Sequence, residues 1–255
     1  MVATLRPSIF SLFSYESKTV MKFQLRNVRL GFFDLWKPKS IRGSAEKFSA
    51  TFIASEDSEI RVTMPDGKKK TFPLLGDDAS KMVIWRLIGA VVKEKWPALS
   101  DKAKKKLDIW CWNKADGSTT RDEYTNDEGD YYGGFDENTW YGTAAKRADK
   151  APNGIQILDQ KRRPITEASG KIYSGCYVNV IFDVYANEQD GDKTVSASLE
   201  GIQLVRGGER LGFTPTDAAS EFDDEEMPEG EDDETIDEKD DLFAGFGADG
   251  DDIPF

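Results

Sequence analysis

Apolar and polar residues alternate over residues 23–30, but the apolar side changes midway: Phe23 and Leu25 belong to one face, Val28 and Leu30 to the other. Alternation of this kind predicts a strand. Residues 47–54 predict a second, with Phe48, Ala50, Phe52 and Ala54 on one face. The stretch between them, FFDLWKPKSIRG, reads as a loop of aromatics with Lys37, Lys39 and Arg42. Residues 60–64 lead into Pro65-Asp66-Gly67 and the basic run 68–70, the signature of a hairpin tip. A helix is predicted over 78–96, capped by Asp77 or Asp78, carrying Met82, Trp85, Ile88 or Gly89, and Val92 at helical spacing, and stopped by Pro97. A short polar helix over 100–106, a strand over 107–113 and a long Gly-, Asp- and Tyr-rich loop over 115–138 follow. The strongest strand signal is at 177–186, where Val178, Val180, Phe182, Val184 and Ala186 share a face. After a turn at 189–192, Val195, Ala197 and Leu199 hold one face and Ile202 and Leu204 the other, so Gly201 marks a β-bulge. About five strands, one internal helix and a closing hairpin predict a mainly β fold, a five-stranded OB-type barrel with an inserted α-helix and extra loops.

Charge divides the chain. Residues 214–255 hold 18 acidic residues against Lys239 alone, a net of −17, which leaves 33 basic and 29 acidic residues, +4, in the remainder. The overall −13 therefore describes a mildly basic body with an acidic appendage, an asymmetry that points to a nucleic-acid partner. So few apolar residues among so much like charge cannot offset chain entropy, and 214–255 is expected to be a disordered acidic tail. The body is expected to span 21–213. MKFQLRNVRL reads as a native start at Met21, which makes residues 1–20 a disordered upstream extension; a start at Met1 is the alternative.

Composition removes most catalytic chemistry. Histidine is absent, and with it the commonest general base and every Ser-His or Cys-His nucleophile. Cys111 and Cys176 are too far apart in sequence for a zinc motif, so a reducing cytoplasm is expected and no metal or cofactor is assigned. No run approaches the roughly 20 apolar residues of a membrane span. The acidic group Asp122, Glu123, Asp127, Glu128 and Asp130 fits no EF-hand spacing and reads as a polar loop.

What the body does offer is aromatic faces interleaved with cations, the combination that a single nucleic-acid strand needs for its bases and phosphates. The candidates are Phe32, Phe33 and Trp36 with Lys37 and Lys39; Trp110 and Trp112 after residues 104–106; Tyr131, Tyr132 and Phe135; and Trp140 with Tyr141 ahead of Lys146 and Arg147. Trp110 and Trp112 share a strand face in this reading and should be both exposed or both buried. Trp85 and Trp96 are assigned to the core, and residues 161–163 are a weaker phosphate candidate.

Two resemblances extend this. The terminus Asp251-Asp252-Ile253-Pro254-Phe255 resembles the tail tip of bacterial single-stranded-DNA-binding proteins. That likeness implies recruitment of replication and repair proteins, with the Phe255 ring and carboxylate in a partner's pocket and the aspartates on its basic rim. MKFQLRNVRLGFFDLW, KFSATFIA and the long segment from WYGTAAKR to GERLGF, most distinctively GKIYSGCYVNV, resemble a phage family of single-stranded-DNA-binding proteins that includes one from an enterobacterial phage. The resemblance covers most of residues 21–213. It implies an OB fold, sequence-nonspecific binding of single-stranded DNA in phage replication, recombination or repair, action in the host cytoplasm, and no catalysis. Homo-oligomerisation stays open. The alternative is a β-barrel protein-interaction module with an acidic solubilising tail.

Overall fold

The computed structural model describes residues 23–40, 43–63, 67–76, 82–189 and 191–212. In chain order the elements are β1 (Phe23–Lys39), β2 (Lys47–Ile53), β3 (Glu59–Thr63), β4 (Lys69–Pro73), α1 (Val83–Lys95), α2 (Asp101–Lys104), β5 (Asp108–Ile109), β6 (Asn113–Lys114), β7 (Trp140–Arg147), β8 (Gln156–Leu158), β9 (Tyr177–Gln189) and β10 (Asp192–Arg206). Five of them close a ring: β1 pairs with β2, β2 with β7, β7 with β10, β10 with β9, and β9 with β1. Every pairing in the ring is antiparallel except β7 with β10, which meet in parallel at Ala145 and Ser198. The expected mainly β, OB-type fold is therefore the one the chain adopts.

β1 makes the ring possible by changing partners along its length. Its first half pairs with β3 and β9, its second half with β2. Between Leu25 and Val28 the register against β9 shifts, and Asn27 takes a left-handed φ of 52°. Asparagine tolerates that region better than most residues. Here its N–H donates to Asn179 Oδ1 at 3.1 Å and its carbonyl accepts from Ser58 Oγ at 2.9 Å. The extra residue moves the inward set from Phe23 and Leu25 to Val28 and Leu30, all four buried, which is the change of side visible in the sequence. A second bulge lies where Gly201 predicted it, between Leu199 and Gly201 of β10.

The interior is filled by Val28, Leu30, Phe52, Ile60, Val178, Val180, Val195 and Leu199, none more than 2% exposed. Helix α1 adds Ile84, Leu87, Ile88 and Val92 to the same core. Burial on this scale contributes roughly 1.5–3 kcal/mol per large aliphatic side chain, so the ring and helix form one cooperative core. Both cysteines are buried and unpaired.

Two expectations are corrected, and one strand carries no expectation at all. Residues 31–39 are strand, not loop: β1 runs on to Lys39 in pairing with β2, and aromatics on its outer side hide the alternation. The single strand expected over 107–113 is two short ones, β5 and β6, separated by Trp110–Trp112, so the two tryptophans do not share a face. Residues 140–147 form β7, a full member of the ring. The helix begins at Val83 after Met82, which supplies no side-chain cap; Asp77 and Asp78 lie outside the described residues, as do 1–22 and 213–255.

Candidate nucleic-acid interface

Register places a continuous face on the outside of β1, β2 and β7. Phe48, Ala50 and Phe52, all buried, alternate with exposed Lys47, half-buried Ser49, and Thr51 and Ile53, which are buried too; the partners of these four on β7 are Arg147, Ala145, Thr143 and Tyr141. At one end of this face Lys39, Lys47 and Arg147 stand in register across the three strands, all exposed. Arg147 is fixed by two 2.9 Å hydrogen bonds to Asp149, and Lys39 pairs with Asp34 at 2.5 Å. The middle is lined by small side chains, Ser49, Thr51, Thr143 and Ala145. Tyr141 and Arg147 lie six positions apart along β7, about 20 Å at strand rise.

The other end is aromatic. The loop between β6 and β7 folds back over Ile53 and Tyr141, held by Tyr124 N–H to Ala115 O at 2.8 Å and by a bridge between Thr125 and Tyr131. Its Asn and Asp side chains organise it: Asn126 accepts from the N–H groups of Glu128 and Asp130, and Asp136 from those of Asn138 and, through its hydroxyl, Thr139. A long polar segment is thereby ordered by local side-chain caps. Tyr124, Tyr131, Phe135 and Leu211 then gather around Ile53, Ala115 and Tyr141 in a second, smaller apolar cluster. Phe32 projects from β1 onto it, edge-on to Tyr132 at 5.2 Å and 6.3 Å from Tyr124. Phe32 is 48% and Tyr132 37% exposed, so the cluster turns two ring surfaces to solvent.

Arg121 connects this patch to a third exposed ring. Its guanidinium lies 4.1 Å over Trp110, itself 48% exposed. The indole N–H donates to Asp108 at 2.5 Å, and Asp108 is 4.0 Å from Arg121. Trp110 is thus oriented by a hydrogen bond and covered on one face by a cation, a geometry suited to stacking a base on the other. The Arg121 charge also acts on the phenols of Tyr124 and Tyr141, which burial otherwise drives up, Tyr141 to about 12. Tyr124 is further hydrogen-bonded to Thr51. At neutral pH both phenols are neutral, so they add no negative charge to a face that meets phosphates.

The chain matches the family described as "Enterobacter phage Enc34, ssDNA-binding protein" over residues 72–235. It is also 30% identical over 212 residues to protein p50 of Acyrthosiphon pisum secondary endosymbiont phage 1, which spans 83% of this chain and 97% of that relative. The chain belongs to the Enc34 ssDNA-binding family. Among solved structures, the single-stranded DNA-binding protein of bacteriophage Enc34 in complex with ssDNA is similar with a TM-score of 0.51 at 19% identity, covering 76% of this chain and 91% of that one. The single-stranded DNA binding protein of bacteriophage T7 aligns with a TM-score of 0.40 at 12% identity, over 81% and 97%. At 19% identity the Enc34 likeness speaks for the fold.

Within this family member the residues singled out by sequence separate into groups. Trp110 and Tyr132 are exposed beside Arg121 and Phe32, and Arg147 closes the basic end with Lys39. Trp112 and Tyr141 are corrected: at 0% and 4% exposure neither ring has a face to offer. Trp112 is stacked on Trp140 at 6.2 Å, and Trp85 meets Trp140 edge-on at 6.4 Å, so Trp140 is also framework, half-buried. Tyr131 donates to Glu123 at 2.7 Å, which with burial raises its phenol to about 12, and it props the loop. Lys146 points away from Arg147 and pairs with Glu200 at 2.6 Å. Trp36 packs against the main core, leaving exposed Lys37 beyond it. Arg163 is tied to Asp159 at 2.7 Å. Residues Asp251, Asp252, Ile253, Pro254 and Phe255 lie outside the described residues. Sequence reasoning passed over Arg121 and Tyr124; a lone arginine and a lone tyrosine in a polar loop carry no periodic signal.

The two neighbouring tryptophans give a sharp contrast. Trp112→Ala is expected to lower stability by about 3–5 kcal/mol, the usual loss for a buried aromatic. Trp110→Ala should leave the melting temperature nearly unchanged and weaken oligonucleotide binding by about 1–3 kcal/mol. Thermal melts and fluorescence titrations of both variants check this; equal stability losses would place Trp110 in the framework.

Proposed function

We propose that this protein binds single-stranded DNA without sequence preference and without catalysis, protecting and organising it during phage replication, recombination or repair in the host cytoplasm. The observation that carries the reading is the single outer face of β1, β2 and β7, with exposed rings at one end and a row of three cations at the other. Such a face takes bases by stacking and phosphates by charge, and neither contact reads sequence. Membership in the Enc34 ssDNA-binding family and the solution of the Enc34 protein with ssDNA support it. The acidic 214–255 segment acts as a tail that competes with DNA for the basic body and recruits replication proteins through Ile253, Pro254 and Phe255.

The test is titration of a fluorescent oligo-dT with the full chain. Binding should weaken steeply with salt, as condensed counterions are released, yet leave a salt-resistant remainder from stacking. Tryptophan emission should quench through Trp110, and the oligonucleotide should stay intact in magnesium. Absent binding would overturn the function, and degradation would overturn its non-catalytic character.

A further inference from the structure

Away from the three cations of β1, β2 and β7, two arginines sit at the end of the described chain with no carboxylate partner among the described residues. Arg206 at the end of β10 lies 3.4 Å over the ring of Tyr177, the residue opposite it on β9. Arg210 lies 4.3 Å over Tyr173. Both arginines are exposed, and both rings are half-buried and held in place. The Tyr173 hydroxyl donates to Gly208 O at 2.9 Å and accepts from Gly208 N–H at 3.0 Å. The two rings bracket Gly207-Gly208: a Cβ on Gly207 would stand 3.0 Å from the Tyr173 hydroxyl and one on Gly208 3.0 Å from the Tyr177 ring. The glycine pair is what allows both stacks to form on one short connection.

The intervening acid pairs with neither of them. Glu209 turns to Arg29, whose guanidinium donates to the Glu209 carbonyl at 2.7 Å and stands 3.9 Å from its carboxylate. A guanidinium laid flat on a ring keeps its edge N–H groups free and loses little further freedom when they bind, which is the state suited to a planar oxyanion such as phosphate. Immediately beyond Arg210, Leu211 belongs to the small cluster with Ile53, Phe135 and Tyr141. The twin stacks therefore adjoin the aromatic end of the interface, on the side opposite the Lys39, Lys47 and Arg147 row.

We infer that Arg206 and Arg210 form a second phosphate-binding site for the DNA backbone, continuing the strand's path past the aromatic patch toward β9 and β10. This assignment rests on the proposed single-strand binding. It is tested with the full chain and labelled oligo-dT over a salt series, comparing wild type with R206A/R210A and R206K/R210K. Loss of two phosphate contacts should flatten the log–log salt dependence by about 1.4, at about 0.7 per contact on single strands. The alanine pair's deficit should accordingly shrink about sevenfold between about 50 and 200 mM salt, with melting and tryptophan quench retained. The lysine pair keeps charge but not the flat fork, so it should keep the slope and lose part of the affinity. Wild-type binding with an unchanged slope in the alanine pair overturns this assignment alone, as does tighter binding by that pair. A wild type that does not bind oligo-dT overturns the proposed function with it.

Discussion

A chain lacking residues 214–255 is expected to bind single-stranded DNA more tightly than the full chain, by a factor on the order of ten to a hundred at low salt. The tail carries −17 and the remainder +4, so the full chain approaches a polyanion with a net charge of −13 and the truncated one with a net positive charge. A tethered polyanion also competes for the same cations at a millimolar-scale effective concentration, whatever the protein's own dilution. The gain should fade as salt rises, since the Debye length falls to about 8 Å at physiological ionic strength. Removing Phe255 alone leaves the 18 tail carboxylate side chains in place and should leave DNA affinity almost unchanged. It should nonetheless abolish capture of replication proteins, because the anchoring ring is gone and the terminal carboxylate has moved. Fluorescence anisotropy at two salt concentrations and pull-downs with the two variants measure both effects. Equal low-salt affinity in the full and truncated chains would dispose of competition by the tail, and undiminished capture without Phe255 would dispose of the tip as anchor.

Elements with one clean buried face were legible in the sequence, and those whose two faces both carry a task were not. β9 alternates because its inner residues Val178, Val180 and Phe182 meet only core, and the two bulges show as changes of side because the buried set moves by one residue. β7 was invisible for a packing reason. Its Gly142 lies against Trp112, where a Cβ would stand 3.1 Å from the indole, and Ala144 is buried beside it, so tertiary packing has put small residues at the buried positions where large apolar ones would announce a strand. The second half of β1 was hidden by the opposite cause: Phe32 on the outside and Leu35 inside make both faces apolar, and alternation disappears. The same loss of strand at Trp110–Trp112 sends two tryptophans of identical spacing to opposite fates. At the site, residue type was readable and direction was not. Lys146 and Arg147 are neighbours in a basic pair, yet only the second reaches the outer face, because successive strand residues point to opposite sides.

The exposed rings lead to the second large effect. Phe32 and Tyr132 touch edge-on at 5.2 Å and present one continuous surface, while Trp110 stands apart beyond Arg121. Each stacked base is worth about 1–3 kcal/mol by alanine substitution. Phe32→Ala and Tyr132→Ala should therefore each cost about that much, but the double variant should cost less than their sum, because removing either ring already unseats the base that the other supports. Trp110→Ala shares no ring contact with the pair and should add nearly in full. The triple variant is then expected to lose on the order of a thousandfold in affinity, at about 1.4 kcal/mol per factor of ten, and to retain the salt slope of the wild type, since no phosphate contact has been touched. That retained slope separates stacking from charge: alanine at Lys39, Lys47 and Arg147 should do the reverse, flattening the slope by about 0.7 for each lost contact while the quench of Trp110 persists. Thermal melts guard the interpretation, because exposed side chains of this kind cost little stability when truncated, within about 0.5 kcal/mol away from special features. Unaltered affinity in the triple variant would move the DNA off the β1, β2 and β7 face altogether, and a fall in affinity that tracks a fall in melting temperature would make the patch a brace for the loop instead of a platform for bases.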